Sequence, residues 1–224
     1  MYYLVKGLVL NSRICNEFDK FVTLYTYEYG KVQAIAKSAK KISAKLLSAT
    51  EPLTESEFFI FSTDFFNKSR IIGANIVKNN TMIKIDLNKN LYALYAAEIS
   101  NKLTAFNFKN IEKYKLITRI WDILAICKYP KRALIAFVLR LLKLSGYAFL
   151  DYLKRANIFI DKNVVNIIKK LSCCCGDDID FIVCDVEDEK IWNYVESYLV
   201  NYTPRPLLGI FLKKIEKYNE LSDI

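Results

Sequence analysis

The hydrophobic pattern of this 224-residue chain changes its period near residue 79. Before that point, short runs rich in β-branched and aromatic residues are separated by turn-forming pairs such as Tyr29-Gly30 and Glu51-Pro52, which is typical of β-strands. The predicted strands are Tyr2–Leu10, Phe21–Tyr29, Lys31–Lys37, Glu57–Phe61 and Arg70–Val77. Five short strands within about eighty residues favour a small barrel, and the OB-fold is one closed barrel of this size.

From about Asn79 the apolar residues recur at helical spacing, i, i+3 and i+4. The predicted helices are Asn88–Lys102, Ile111–Cys127, Lys131–Ser145, Asn163–Cys173, Glu187–Tyr202 and Leu207–Tyr218, with Gly146 as the C-terminal cap of the third. The predicted fold class is therefore α+β. A small N-terminal β-barrel (OB-fold, residues 1–79) should precede an all-helical C-terminal domain (residues 80–224).

Positive charge is concentrated in one segment of the predicted barrel. The chain has 33 Lys and Arg against 24 Asp and Glu, a formal net charge of +9, and no acidic residue occurs from Tyr29 to Thr50. The lysines of that segment are Lys31, Lys37, Lys40, Lys41 and Lys45. Cations on a small β-rich domain predict a surface that neutralises phosphates, and a solvated, lysine-rich loop is the alternative. Composition alone does not choose between nucleic acid and an anionic membrane surface.

Other residues of the barrel are candidates for the same surface. Arg13 and Lys20 extend the basic patch if the first two strands lie beside it. Tyr27 and Tyr29 would share one face of a strand, and a base stacked on such a ring contributes ~1–3 kcal/mol. Packing in the core is the alternative for both tyrosines.

The sequence argues against an enzyme. It contains no histidine, which removes the commonest general base and every Ser-His or Cys-His pair. It also lacks the glycine motifs of phosphate-binding loops and dinucleotide sites. The acidic clusters Asp177–Asp180 and Asp185–Glu189 are the only candidates for a metal-dependent nuclease, although runs of neighbouring acids are usually a solvated turn or the acidic start of a helix.

No feature predicts a membrane or export. Lys6 interrupts the apolar run at the N-terminus, and Arg140 and Lys143 interrupt the most apolar helical stretch, Ala133 to Tyr147. We therefore expect a cytoplasmic protein whose six cysteines remain reduced.

Eight segments spread over most of the chain carry a resemblance to a known family. They are Lys6–Leu10, Glu17–Leu24, Glu28–Lys31, Ala36–Lys41, Glu51–Thr54, Leu139–Tyr147, Arg205–Leu207 and Phe211–Leu212. In order and spacing they resemble the bacterial recombination mediator RecO. The resemblance implies an OB-fold and a helical domain that bind single- and double-stranded DNA and anneal complementary strands. It also implies cooperation with RecR and the single-strand-binding protein SSB to help load RecA, in the bacterial cytoplasm at the nucleoid.

A partner site follows from the same resemblance. SSB-type tails are acidic and end in apolar residues, so their receptor needs an apolar groove flanked by cations. The candidates on one predicted helix are Lys131, Arg132, Phe137, Arg140 and Lys143. An amphipathic core helix with a basic outer face is the alternative.

The chain departs from the family at its metal site. Many members carry two Cys-x-x-Cys pairs, the first soon after the Gly-Tyr, but Ala148–Ala156 contains no cysteine here. Cys173, Cys174 and Cys175 are consecutive, so they cannot all face one tetrahedral ion without distorting the backbone. We expect no zinc, no other metal and no cofactor, with Cys173, Cys175 and Cys184 as a three-ligand alternative.

Two binding-module alternatives remain open from the sequence. One is an OB-fold protein that binds RNA, and the other is an adaptor that binds only RecR-like proteins.

Overall fold

The computed structural model describes residues 1–39, 46–63, 69–155, 161–173 and 188–203. Several predicted features lie outside these ranges. They are Lys40, Lys41, Lys45, Cys174, Cys175, Cys184, Arg205, the acids from Asp177 to Glu187 and the helix Leu207–Tyr218.

The N-terminal residues form a closed five-stranded barrel, as the sequence predicted. Its strands are β1 (Tyr2–Ile14), β2 (Lys20–Thr26), β3 (Gly30–Ala36), β4 (Glu55–Ser62) and β5 (Ser69–Lys78). The strand order around the barrel is β1-β2-β3-β5-β4, and β1 closes it by pairing with β4. Most neighbours are antiparallel, but β3 and β5 pair in parallel over only three residues of each strand.

The barrel encloses its core because alternate residues of each strand point inward. Val22 and Leu24 of β2, Ala34 of β3 and Ile60 of β4 are all fully or almost fully buried. The residues between them face outward. On β2 and β3, these outward positions include Phe21, Thr23, Gln33 and Ile35.

Seven α-helices are described after the barrel, which confirms the α+β class. They are α1 (Thr81–Ile85), α2 (Leu87–Leu103), α3 (Ile111–Ile126), α4 (Pro130–Leu144), α5 (Phe149–Arg155), α6 (Lys162–Cys173) and α7 (Asp188–Leu199). Five of them match predicted helices to within three residues at the described ends. The short helices α1 and α5 were not predicted, since five to seven residues carry too little periodicity.

Residue contacts divide the chain into two compact units. The first comprises Met1–Thr81 and Ser100–Thr118, and the second comprises Met82–Ile99 and Arg119–Ile224. The predicted boundary near residue 79 stays a prediction, and the structure adds residues 100–118 to the barrel unit. That segment holds the end of α2, a connection and the start of α3.

In the second unit, α4 is the central helix and packs against α5, α6 and α7. It ends as predicted at Gly146, whose positive φ of 83° allows the chain to turn away. The Gly146 and Tyr147 amides donate to the carbonyls of Lys143 and Leu142, at 3.1 and 2.9 Å. This is a Schellman motif.

Within the described residues, no single helix has both the length and the apolar composition to cross a membrane. Among these helices, α4 and α5 are long and apolar enough only when taken together, and they are bent by 72° relative to each other.

Candidate nucleic-acid interface

Four outward-facing residues lie side by side across the barrel at one end of its sheet. Strand pairing places Arg13 of β1 opposite Phe21 of β2, Phe21 opposite Ile35 of β3, and Ile35 opposite Arg70 of β5. We call Arg13, Phe21, Ile35 and Arg70 the outer row. Successive members are one strand spacing apart, ~4.8 Å at the backbone. The row therefore has a cation at each end, with an aromatic and an aliphatic side chain between them.

The outer row is open to solvent. Arg13 and Arg70 are exposed, Ile35 is 38% exposed and Phe21 is half-buried. The Arg13 guanidinium lies 4.8 Å from the centre of the Phe21 ring, which is within cation–π range. Such an arrangement combines a phosphate-binding cation with a flat surface for a base.

Lys37 follows β3 directly and is exposed close to the outer row. The neighbouring Asp19 carboxylate accepts the backbone N–H of Ser38 at 2.8 Å. This hydrogen bond lowers the pKa of Asp19, and Asn16, Lys37 and Arg70 lower it further. Asp19 therefore fixes the turn that carries Lys37, and it places one negative charge among the cations.

Lys31 does not belong to this surface, which corrects the sequence prediction. Its side chain is only 5% exposed because the connection after α2 covers it. Its ammonium donates to the Asn101 carbonyl at 2.6 Å and lies 4.1 Å from the centre of the Phe106 ring. Burial lowers the pKa of Lys31 to about 8. A lysine enclosed in this way is occupied by contacts within the barrel unit and does not reach a phosphate.

The same connection closes the far end of the β2–β3 face. Phe106 forms a parallel bridge with Lys31, and the Asn107 amide donates to the Lys31 carbonyl at 2.9 Å. The Tyr25 hydroxyl donates to the Asn110 carbonyl at 3.3 Å, and burial raises the pKa of Tyr25 to about 12. The open part of this face is therefore the end that carries the outer row.

The other predicted barrel residues occupy different places. Lys20 has the inward parity of Val22 and Leu24, so it is half-buried at the barrel mouth beside the outer row. Tyr27 and Tyr29 lie in the turn after β2, and Tyr29 packs against the barrel core. Tyr27 makes an edge contact with Tyr114 at 5.5 Å between ring centres. The predicted shared strand face for these two tyrosines was wrong, because β2 ends at Thr26.

The barrel is the part of the chain that matches a known family. Residues 1–80 match the family model described as Recombination protein O N terminal. Residues 1–80 are therefore similar to the N-terminal domain of RecO proteins. The match covers all five barrel strands, which include every member of the outer row.

Three curated proteins are similar to this chain over a longer stretch. The chain is 29% identical over 143 residues to the DNA repair protein RecO of Caldanaerobacter subterraneus subsp. tengcongensis, covering 63% of this chain and 57% of the relative. For that of Heliobacterium modesticaldum the identity is 30% over 145 residues, covering 65% and 52%. For that of Mycoplasma mycoides subsp. mycoides SC it is 26% over 205 residues, covering 88% and 80%. The first two matches span a little over half of each relative.

The predicted tail-binding residues are only partly at a surface. Phe137 is 2% exposed in the core around α4, so the structure contradicts its role as a surface contact. Lys131 forms an ion pair with Glu189, and Arg132 with Asp188 at 3.1 Å, so both charges already have acidic partners. Arg140 is half-buried and Lys143 is exposed, and their role in tail binding stays a proposal.

Metal ligands are not grouped in the part of the chain that the structure describes. No cluster of three or more cysteine, aspartate or glutamate side chains occurs there, and Cys15 and Cys173 are exposed while Cys127 is buried. Because three of the six cysteines lie outside the described residues, the expectation that the chain binds no zinc stays a prediction.

Sequence reasoning missed three of the four outer-row residues. Phe21, Ile35 and Arg70 each stood in a predicted strand, at an outward position of the alternating pattern. The pairing of β3 with β5 brings Arg70 next to Ile35, and no local sequence pattern predicts this pairing. Lysine density was therefore a poorer guide to the outer row than strand register.

Proposed function

We propose that this chain is a RecO-type protein, a non-enzymatic DNA-binding recombination mediator that acts in DNA repair, of the RecF-pathway type. It binds single- and double-stranded DNA, anneals complementary strands and, with RecR, helps RecA load on DNA coated with SSB. The observation that carries the proposal is the outer row, where two arginines flank an aromatic ring and an exposed isoleucine. The name of the similar proteins, DNA repair protein RecO, agrees with it.

Charge neutralisation is the proposed mechanism of annealing. Two single strands repel each other through their phosphates, and cations that screen both backbones lower the barrier to pairing. Arg13, Arg70 and Lys37 are the described cations placed for this role, with Lys20 at the barrel mouth beside them. Lys40, Lys41 and Lys45 remain proposed contacts that lie outside the described residues.

Charge reversal of Arg13 and Arg70 tests the proposed surface. The double variant Arg13→Glu/Arg70→Glu should bind a single-stranded oligonucleotide more weakly, by a similar factor for every sequence. Each lost phosphate contact should reduce the salt slope of the affinity by about 1. The variant Lys169→Glu/Lys170→Glu changes the net charge equally at two exposed positions of α6 and serves as the control. Equal affinities of the two double variants in low salt would refute the assignment.

Two other functions remain distinguishable by experiment. Competition between DNA and RNA oligomers of one sequence separates a DNA mediator from an OB-fold protein that binds RNA. An adaptor that binds only RecR-like proteins would show negligible affinity for either nucleic acid near physiological salt. The proposed RecR and SSB contacts are then tested by pull-down with each purified protein.

A further inference from the structure

The outer row continues around the barrel beyond Arg70. Arg70 lies opposite Phe61 on β4, and Phe61 lies opposite Tyr2 on β1. The neighbours Ile60 and Ile71 are buried in the core, so Phe61 and Arg70 take the outward parity. All five strands thus contribute to one line of outward residues that starts near the end of β1 and returns to its beginning. We call this line the extended row: Arg13, Phe21, Ile35, Arg70, Phe61 and Tyr2.

The added part of the extended row is aromatic and accessible. Tyr2 is 77% exposed, and its ring centre lies 5.2 Å from that of Phe61 at an angle of 54°. The next pair along the same two strands, Leu4 and Phe59, is also exposed. An exposed apolar surface of this kind indicates a binding site. Arg70 connects it without interruption to the cationic outer row.

We propose that single-stranded DNA follows the extended row around the barrel, with phosphates at Arg13 and Arg70 and a base stacked on Tyr2. A single strand presents phosphates and unstacked bases together, which matches a line that carries both guanidinium groups and exposed rings. Duplex bases are stacked on each other and cannot use Tyr2. This inference rests on the proposed function and adds to it a path past Arg70 onto the β4–β1 face.

The geometry makes the contribution of Tyr2 depend on the length of the bound DNA. Tyr2 lies two strand spacings, about 10 Å, beyond Arg70 along the extended row. Oligothymidylates of increasing length, across the roughly 4–16 nucleotides that an OB-fold holds, should therefore reach Tyr2 only above a threshold length. The variant Tyr2→Ala should bind the shortest oligomers like the wild type. It should bind longer ones roughly five- to 150-fold more weakly, the equivalent of ~1–3 kcal/mol per stacked base.

Two variants control for loss of a ring and loss of an exposed apolar group. Tyr2→Phe keeps the ring and should retain wild-type affinity at all lengths. Ile126→Ala removes an 81% exposed apolar side chain from α3 and should have no effect. Ultraviolet cross-linking of the wild-type protein to an oligomer that contains 5-iododeoxyuridine should label the peptide that carries Tyr2. This readout does not depend on whether any variant folds.

The outcomes separate this path from the proposed function. If Arg13→Glu/Arg70→Glu weakens binding but Tyr2→Ala has no effect at any length, the path is overturned and the DNA-binding proposal stands. The exposed rings would then favour a protein partner. Cross-links confined to Phe21, or an equal loss of duplex affinity in Tyr2→Ala, would also overturn it. If neither variant changes binding, the proposed function itself fails.

Discussion

Lys31 and Lys37 belong to one lysine-rich segment, yet their environments are opposite. Lys37 is exposed in the turn after β3, whereas Lys31 is enclosed between the Asn101 carbonyl and the Phe106 ring. Burial disfavours the charged form of Lys31 and brings its pKa from 10.5 to about 8. Lysines of one segment are therefore divided between burial in the barrel unit and exposure to solvent.

The buried Lys31 predicts a specific pH dependence of stability. Between pH 8 and 10.5 the unfolded chain holds a proton on Lys31 that the folded chain has released, so the free energy of unfolding rises with pH. Wild type should accordingly gain stability relative to Lys31→Met between pH 7 and 9.5, measured by urea unfolding at several pH values. Tyrosine ionisation is common to both proteins and cancels in the difference. A difference that stays constant across this range would contradict the buried charge.

Asp19 predicts that DNA binding can be strengthened by removing one charge. Asp19→Asn keeps an acceptor for the Ser38 amide but deletes the negative charge that acts on Lys37 and Arg70. We expect a several-fold higher affinity for single-stranded DNA in low salt, with a smaller gain as salt screens the charges. Asp161→Asn is the matched control, because the Asp161 carboxylate also accepts a backbone amide, that of Asn163. An equal gain in both variants would indicate an effect of net charge alone.

At the scale of secondary-structure elements, the β2–β3 turn and the connection after α2 depend on one glycine. Gly30 has a φ of 71°, and a Cβ atom at this position would overlap the carbonyl oxygen of Phe108. Only glycine allows this close approach, which in turn holds the connection over Lys31. Gly146 has a similar φ of 83°, but a Cβ atom there would meet nothing within 4 Å.

The two glycines form a matched pair for mutation. Gly146→Ala should cost about 1 kcal/mol, because only the backbone conformation is unfavourable for alanine. Gly30→Ala should cost roughly 2–4 kcal/mol, since the overlap with Phe108 adds to that penalty. Amide hydrogen exchange of β2–β3 and of the end of α4 measures each effect in its own region. Equal losses of protection would show that the segment around Phe108 does not contact Gly30 closely.

At the scale of the whole molecule, the formal net charge of +9 acts together with the outer row. Annealing of two complementary labelled strands, followed by fluorescence energy transfer, should be fast at low salt and slow down as salt is raised. It should persist in EDTA, because we expect no metal to take part. The reaction should also proceed on strands coated with SSB.

Two other results of the annealing experiment would contradict the proposed mechanism. Loss of annealing in EDTA would contradict a metal-free mediator. It would favour the three-cysteine metal site that includes residues outside the described ranges. Single-strand binding without annealing would favour the RNA-binding or adaptor alternatives.

Local patterns predicted a good part of this architecture. The alternation of residues such as Val22 and Leu24 with outward neighbours located the strands, and helical spacing located the five longest described helices. Gly146 was identified as a cap because a left-handed residue after a helix favours glycine whatever surrounds it. These features depend on neighbours within a few positions, so the sequence displays them directly.

The surface itself depends on contacts between residues far apart in the chain. The parallel pairing of β3 with β5 puts Arg70 beside Ile35, and the segment 100–118 contacts the barrel and encloses Lys31. Charge density favoured Lys31 and passed over Phe21, because it carries no information about strand order or burial. Local periodicity therefore determines which elements form, whereas the pairing and packing of those elements determine which cations can meet DNA.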